Sequence, residues 1–78
     1  MQAATVPLPS PELDRSGGRR RPTLVIVDAG FEASIVAFDT SFRPQIGDRF
    51  WHAGRVWEVV GWRAPARAFV ARFAGRMA

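Results

Sequence analysis

The side chains that could act as nucleophiles or as a general base are few and scattered in this sequence. The chain has no cysteine and no lysine. Its serines stand in extended, strand-like or loop-like stretches, outside any strand-to-helix turn of the nucleophile-elbow type: Ser10, Ser16, Ser34 and Ser41. The only imidazole, His52, falls at the tip of a predicted hairpin, where a turn residue facing solvent is more common than a general base. The sequence therefore predicts neither an activated nucleophile nor a histidine-centred catalytic group.

The carboxylates are also spread out, over different predicted turns and strands: Asp28, Glu32, Asp39, Asp48 and Glu58. General acid–base catalysis by a pair of carboxylates requires two carboxylates close together. Asp48 follows Gly47, so we expect it to bond backbone N–H groups of a turn, and we expect Glu58 to pair with Arg49. No glycine-rich phosphate loop and no Cys/His metal set is present. We predict that the protein is not an enzyme and has no cofactor or metal.

Tryptophan and arginine supply the clearest binding chemistry. All three tryptophans lie in "IGDRFWHAGRVWEVVGW" (residues 46–62), and all eleven basic residues are arginines. Trp and Arg are the residues most enriched at interface hot spots, and rings beside arginines also suit base stacking with phosphate contacts. The predicted binding surface consists of Trp51, Trp62, Arg49, Arg63, His52 and Arg55.

Two strands joined at Ala53–Gly54 must position these side chains. A two-residue loop pairs His52 with Arg55, Trp51 with Val56, Phe50 with Trp57, and Arg49 with Glu58. The core-facing side then carries Phe50, Trp57 and Val59, with His52 and Arg55 near the tip. The other side carries the Arg49–Glu58 pair beside Trp51, Val56, Val60 and Trp62. A bulged or longer loop would exchange the two sides.

Strand patterns on both sides of this hairpin indicate a mainly β domain. "TLVIV" and "FEASIVAFD" flank the turn "DAGF" and predict a second hairpin. The loop "TSFRPQIGD", with Phe42, is expected to fold over a barrel end. "RAPARAFVARFAGRMA" fits either a fifth strand that covers an open edge or an amphipathic helix. We expect five strands in a small barrel or a strongly bent antiparallel sheet; four strands plus a C-terminal helix is the alternative, of α+β class.

The N-terminal part differs in composition from the rest. Residues 1–22 are predicted to form a disordered arm containing Pro and Arg, and residues 23–78 the β-barrel domain. The cluster "GGRRRP" suits either a solubilising tail or contact with phosphate or an acidic protein. Half of the net charge of +4 lies in this arm, so the folded part is mildly basic. We recognise no signal peptide and no membrane span, and we expect a soluble cytoplasmic protein.

The stretch "PQIGDRFWHAGRVWEVV" (residues 44–60) resembles a pattern of small SH3-like β-barrels. In that pattern, a Pro and a Gly-Asp enter a strand, a Gly marks the turn, and an aromatic with alternating valines returns. Phage head–tail joining and tail-completion proteins are similar here. The resemblance covers under a quarter of the chain. It implies Phe50, Trp57 and Val59 inside the barrel, no catalytic residue, and a role as a structural subunit of a larger or phage-like assembly.

Two binding functions follow from these observations. The first is a non-catalytic protein-interaction module that binds a protein partner or a second copy of itself. The second is a single-stranded DNA- or RNA-binding module, in which Trp51, Trp62 and His52 stack on bases and Arg49, Arg55, Arg63, Arg67 and residues 19–21 contact phosphates. No small-molecule substrate and no membrane partner is predicted. In the alternative to a binding role, Trp51 and Trp62 are buried under the arm or the C-terminal segment.

Overall fold

The computed structural model describes residues 8–13 and 21–76, and that part of the chain forms a five-stranded mixed sheet. The strands are β1 (Thr23–Asp28), β2 (Ala33–Phe38), β3 (Arg49–His52), β4 (Arg55–Arg63) and β5 (Ala68–Arg76). Their order in the sheet is β2-β1-β5-β4-β3. The sheet curls into a half-barrel, so the predicted mainly β class and the five strands are confirmed.

The pairing of β1 with β2 follows the predicted hairpin. Thr23 pairs with Phe38 and Asp28 pairs with Ala33, without a register shift between them. In the connecting turn the backbone N–H of Gly30 donates to Asp28 Oδ1 at 2.8 Å, and Gly30 has a positive φ of 97°. An aspartate followed by glycine favours such a turn, because the carboxylate binds the local backbone and glycine accepts positive φ.

The C-terminal segment forms the middle strand of the sheet, so the helical alternative is wrong. β5 pairs parallel with β1, from Val25–Phe69 to Asp28–Arg72, and antiparallel with β4. From Phe69 to Arg72 this strand has neighbours on both sides, and pairing of the backbone groups there outweighs the helix propensity of its alanines. The parallel pairing also makes the sheet mixed, a detail that the predicted small barrel or bent antiparallel sheet did not include.

The core lies on the concave side of the sheet. Its buried members are Val25, Val27, Phe38, Phe50, Trp57, Val59 and Ala71. The Phe38 ring meets Phe50 edge-on at 5.7 Å between ring centres, which joins the two edge strands. Phe42, from the loop between β2 and β3, packs on both rings at 5.5 and 5.3 Å. The predicted burial of Phe50, Trp57 and Val59 is confirmed.

The antiparallel ladder between β4 and β5 contains two register shifts. One lies between Val56 and Trp57, and the other between Val59 and Gly61. At the second shift Val59 pairs with Ala71 and Gly61 pairs with Val70, so Val60 is an additional residue in β4. Bulges of this kind increase local twist and bend a strand, as a curled sheet requires.

Part of the predicted arm contacts the sheet. The backbone N–H of Trp51 donates to the carbonyl of Pro9 at 2.9 Å, and that of Asp39 donates to the carbonyl of Glu12 at 2.7 Å. No pattern in the sequence of residues 8–13 predicts these contacts. Residues 1–7 and 14–20 lie outside the described residues, so the division into an arm over 1–22 and a domain over 23–78 stays a prediction. No helix that could span a membrane occurs in residues 8–13 and 21–76.

Candidate binding site

The tight turn between β3 and β4 sets the positions of most predicted site residues. Both turn residues have positive φ, 54° at Ala53 and 77° at Gly54, as a two-residue turn of type I′ requires. The ladder then runs from His52–Arg55 to Arg49–Glu58, which is the predicted register. Asp48 Oδ2 accepts the N–H of Gln45 at 2.8 Å, so its predicted role as a turn residue is confirmed.

Trp51 lies on the outer side of this hairpin, opposite Val56. It is 38% exposed. Beside it, Arg49 Nε lies 3.2 Å from Glu58 Oε1, which confirms the predicted ion pair. Both partners are well exposed, so the pair contributes roughly 0–1 kcal/mol. On its other side, Glu58 of β4 is paired in the sheet with Arg72 of β5. The surface around Trp51 therefore carries acidic as well as basic groups.

Trp62 does not share this side of the sheet, contrary to the prediction. Strict alternation along β4 would align Trp62 with Val56 and Glu58, but the extra residue Val60 changes the phase. Trp62 pairs with Phe69, and their rings meet edge-on at 4.8 Å between centres. Phe69 packs against the core, so Trp62 lies at the rim of the core side. It is nevertheless 53% exposed.

A groove lies beside Trp62 at the end of the half-barrel where β4 turns into β5. We call it the Trp62 groove. Its volume is about 610 Å³, and its lining consists of Arg21, Pro22, Leu24, Trp62, Ala64 and Arg67. The turn that forms one wall is closed by a hydrogen bond from the N–H of Arg67 to the carbonyl of Ala64, at 3.1 Å, and Arg67 has a positive φ of 50°. The groove combines a mainly apolar lining with two arginines.

The two arginines of the Trp62 groove have no carboxylate partner within the described part of the chain, where the only salt bridge is Arg49–Glu58. The sequence predicted Arg67 and Arg21 only as two phosphate contacts among many, and Leu24 was not predicted as a site residue. These residues meet because β1 lies beside β5, and a parallel pairing of distant strands leaves no local pattern in a sequence.

His52 and Arg55 lie at the opposite end of the half-barrel. The His52 ring packs edge-on against Phe38 at 5.1 Å, and burial lowers the pKa of His52 from its ordinary value of 6.5. The carbonyl of His52 accepts the indole N–H of Trp57 at 3.0 Å. The Arg55 guanidinium lies 5.7 Å from the centre of the Phe73 ring. This is a cation–π contact.

A second cleft at this end, of about 290 Å³, brings Ser34, His52 and Glu32 to one place. These residue types can form a catalytic triad, and the sequence analysis had treated them as unrelated. Within the described part of the chain, however, no hydrogen bond joins Ser34 to His52 or His52 to Glu32. A nucleophile and its base must be within hydrogen-bond reach.

The six predicted surface residues consequently occupy three places rather than one. Arg49 and Trp51 lie on the outer side of the hairpin, and His52 and Arg55 lie at one end of the half-barrel. Trp62 and Arg63 lie at the other end, where Arg63 pairs with Ala68. The alternative in which both Trp51 and Trp62 are buried is wrong. Among the described residues, no three acidic, His or Cys side chains are grouped as a metal site.

Comparison of the chain with family models, with curated proteins and with solved structures finds no match. The resemblance of residues 44–60 to SH3-like barrels therefore stays a prediction. The proposed function therefore rests on the geometry of the surfaces described above.

Proposed function

We propose that the protein is a non-catalytic interaction module and that the Trp62 groove binds an acidic, leucine-containing segment of a protein partner. The observation that carries this proposal is the combination in one groove of a half-exposed tryptophan with two arginines, Arg21 and Arg67, that lack a carboxylate partner among the described residues. Trp and Arg dominate the binding energy of many interfaces.

The lining of the groove supports a partner with both apolar and acidic side chains. Pro22, Leu24 and Ala64 give an apolar floor, which suits aliphatic side chains. A volume of about 610 Å³ lies within the range of roughly 300–1,000 Å³ typical of pockets that enclose a ligand. Guanidinium groups bind carboxylates through paired, charge-assisted hydrogen bonds. A segment that alternates aspartate and leucine satisfies both requirements.

Further exposed apolar side chains support a place in a larger, phage-like or homo-oligomeric assembly. Phe31 is 84% exposed at the tip of the β1–β2 turn. Other large hydrophobic side chains are exposed as well: Leu13, Ile35, Ile46, Val60 and Phe73. A domain of this size buries only about 60% of its unfolded-chain surface, so covering these groups by a partner would add stability.

A single-stranded DNA or RNA is the second candidate, because one specific observation favours it. The exposed ring of Trp62 is flanked by arginines, and Arg63 follows it in the chain. Base stacking on an aromatic ring contributes about 1–3 kcal/mol per base. The mild basicity of the folded part and the apolar floor favour the acidic protein segment over this ligand.

Fluorescence anisotropy with two labelled probes tests both candidates. One probe is a peptide of alternating aspartate and leucine, and the other is a thymidine oligonucleotide of about 12 nucleotides, within the usual site sizes. We expect the peptide to bind and Trp62→Ala to weaken it at least tenfold, with a smaller loss in Arg67→Ala. Trp51→Ala is the matched control, since it removes another exposed tryptophan, and it should leave binding unchanged.

Other outcomes are equally informative. Oligonucleotide binding that falls steeply with salt and requires Trp62 would favour the nucleic-acid function. Failure of both probes to bind the native chain, or equal losses in Trp51→Ala and Trp62→Ala, would contradict a binding role for the groove. Denaturation curves of each variant distinguish loss of binding from loss of folding.

A further inference from the structure

The two edge strands of the half-barrel approach each other along a line that we call the seam. β2 and β3 stand at opposite ends of the sheet order and are not paired with each other. Across the seam, the Phe38 ring meets the rings of Phe50 and His52. Side chains therefore close the interior at this line, while each edge strand presents backbone groups that need other partners.

Residues 8–13, "LPSPEL", lie across the seam and contact both edges. We call this segment the strap. On the β3 side, the carbonyl of Pro9 accepts the N–H of Trp51 at 2.9 Å. On the β2 side, the carbonyl of Glu12 accepts the N–H of Asp39 at 2.7 Å, and Leu13 forms an antiparallel bridge with Phe38. The strap thus accepts backbone N–H groups at both edges, from Trp51 in β3 and from Asp39 directly after β2.

The strap is bound by few contacts compared with the five strands. None of its residues belongs to the buried core, and Leu13 is 47% exposed. Segments with little buried apolar surface open at a low free energy relative to global unfolding. Pro9 and Pro11 favour an extended backbone, so the free segment loses less entropy when it binds again.

We propose that the seam is an exchangeable peptide site and that the strap of a second copy of this chain can occupy it, which yields a strap-swapped dimer. The contacts in the dimer would be the same ones that the strap makes within its own chain. Exchange of an identical element is a low-cost route to dimers for this reason. The inference is independent of the Trp62 groove, which lies between β1, β4 and β5.

The tether between strap and sheet decides which occupant is favoured. Leu13 bridges Phe38, and Phe38 pairs with Thr23 in β1. The strap is covalently joined to β1, so its effective concentration at the seam is high, up to roughly millimolar for linked elements. The chain's own strap therefore outcompetes a second copy at low protein concentration.

A labelled peptide of residues 8–13 tests the seam on the full-length chain. We expect weak binding to the native protein, because the tethered strap competes, and at least tenfold tighter binding to the Leu13→Asp variant. The exposure of Leu13 makes this variant compatible with folding. A peptide with aspartate in place of its last leucine should not bind. Absence of binding to both proteins, or equal binding to both, overturns the proposal.

Light scattering of the full-length chain over a range of protein concentrations provides a second, independent test. The chain's own strap is covalently linked, so we expect a monomer at low concentration and a dimer as the concentration approaches roughly millimolar. Leu13→Asp should abolish the dimer. A chain that stays monomeric at the highest concentration, or a dimer that Leu13→Asp leaves intact, counts against a swapped strap.

Discussion

The two halves of β4 differ in the regularity of their own pleat, although each contains a register shift with β5. The shift near the turn adds a residue to β5, whereas the shift at Val60 adds one to β4. Near the turn, Arg55–Glu58 pair with β3 without interruption, and Trp57 is 4% exposed in the core. Beyond the bulge at Val60, Trp62 is 53% exposed at the rim. The comparison shows that alternation predicts side-chain direction only as far as the first inserted residue, because one extra residue reverses every side chain after it.

The difference has a physical cause in the partners of each half. Close to the turn, β4 is held by β3 on one side and β5 on the other, so its pleat is constrained. The last contact with the β3 side is at Val59, whose N–H donates to the carbonyl of Asp48 at 2.8 Å. From Val60 onward only β5 pairs with β4. A strand with one free edge can bend and bulge at little cost.

The largest expected effect is the difference in stability between Trp57→Ala and Trp62→Ala. We expect Trp57→Ala to lower the free energy of unfolding by about 3–5 kcal/mol, because it opens a cavity in the core. Trp62→Ala should lower it by only about 1 kcal/mol, because half of the ring is already in water. Urea denaturation measures both. If Trp57→Ala does not fold, Trp57→Phe gives a measurable, smaller loss. Similar losses at the two positions would contradict the difference between the halves.

Deletion of Val60 tests the bulge itself. Removing the extra residue would turn Trp62 away from Phe69, so we expect a loss of about 2 kcal/mol and a red shift of Trp62 fluorescence in a Trp51→Phe/Trp57→Phe background. Val60→Ala keeps the chain length and is the control, with little change in either measurement. An unchanged emission maximum on deletion would mean that Trp62 does not depend on the bulge for its direction.

The turn at the regular end offers a stabilising substitution. Ala53 has a positive φ of 54°, which disfavours a Cβ, whereas asparagine adopts this conformation readily and Asn-Gly is the preferred pair for this turn. We expect Ala53→Asn to raise the free energy of unfolding by about 0.5–1 kcal/mol. Ala33→Asn, on an exposed position of β2, is the control and should not stabilise. A loss of stability at position 53 would argue against the two-residue turn.

The smallest expected effect is a pH dependence from His52. Burial lowers its pKa below 6.5 in the folded state, so the unfolded chain takes up the proton first as the pH falls. The contribution of His52 to stability is therefore unchanged well above pH 6.5 and decreases as the pH falls from 6.5 through the folded pKa. Thermal melts between pH 7.5 and 5 should show a decrease in Tm that is smaller in His52→Gln. Identical slopes would indicate that His52 is fully solvated.

The sequence predicted the regular end of the molecule well, for identifiable reasons. Ala53–Gly54 specifies a two-residue turn, and that turn fixes the partners of Phe50 and Trp57. The turn residues Asp28 and Gly30 likewise predicted the hairpin of β1 and β2. These features depend on neighbours a few residues apart, so a local pattern is sufficient to reveal them.

What the sequence could not predict depends on contacts between distant segments. The bulge at Val60 follows from the curl of the sheet, and no residue type marks it. The Trp62 groove needs Arg21 and Arg67 to meet through the pairing of β1 with β5. The strap contacts have no alternating pattern, because Pro9 and Pro11 interrupt the apolar residues of a segment that is only partly buried.

The parallel pairing of β1 with β5 also has a consequence for the order of folding. The two central strands come from opposite ends of the domain, while the edge strands β2 and β3 belong to local hairpins. During synthesis, the middle of the sheet therefore cannot form until β5 has left the ribosome. Before that point, only the two hairpins can form. High contact order of this kind slows folding. We expect the two hairpins to form first, joined through Phe38 and Phe50, with the side of Trp57 that packs on Phe73 in water until β5 pairs.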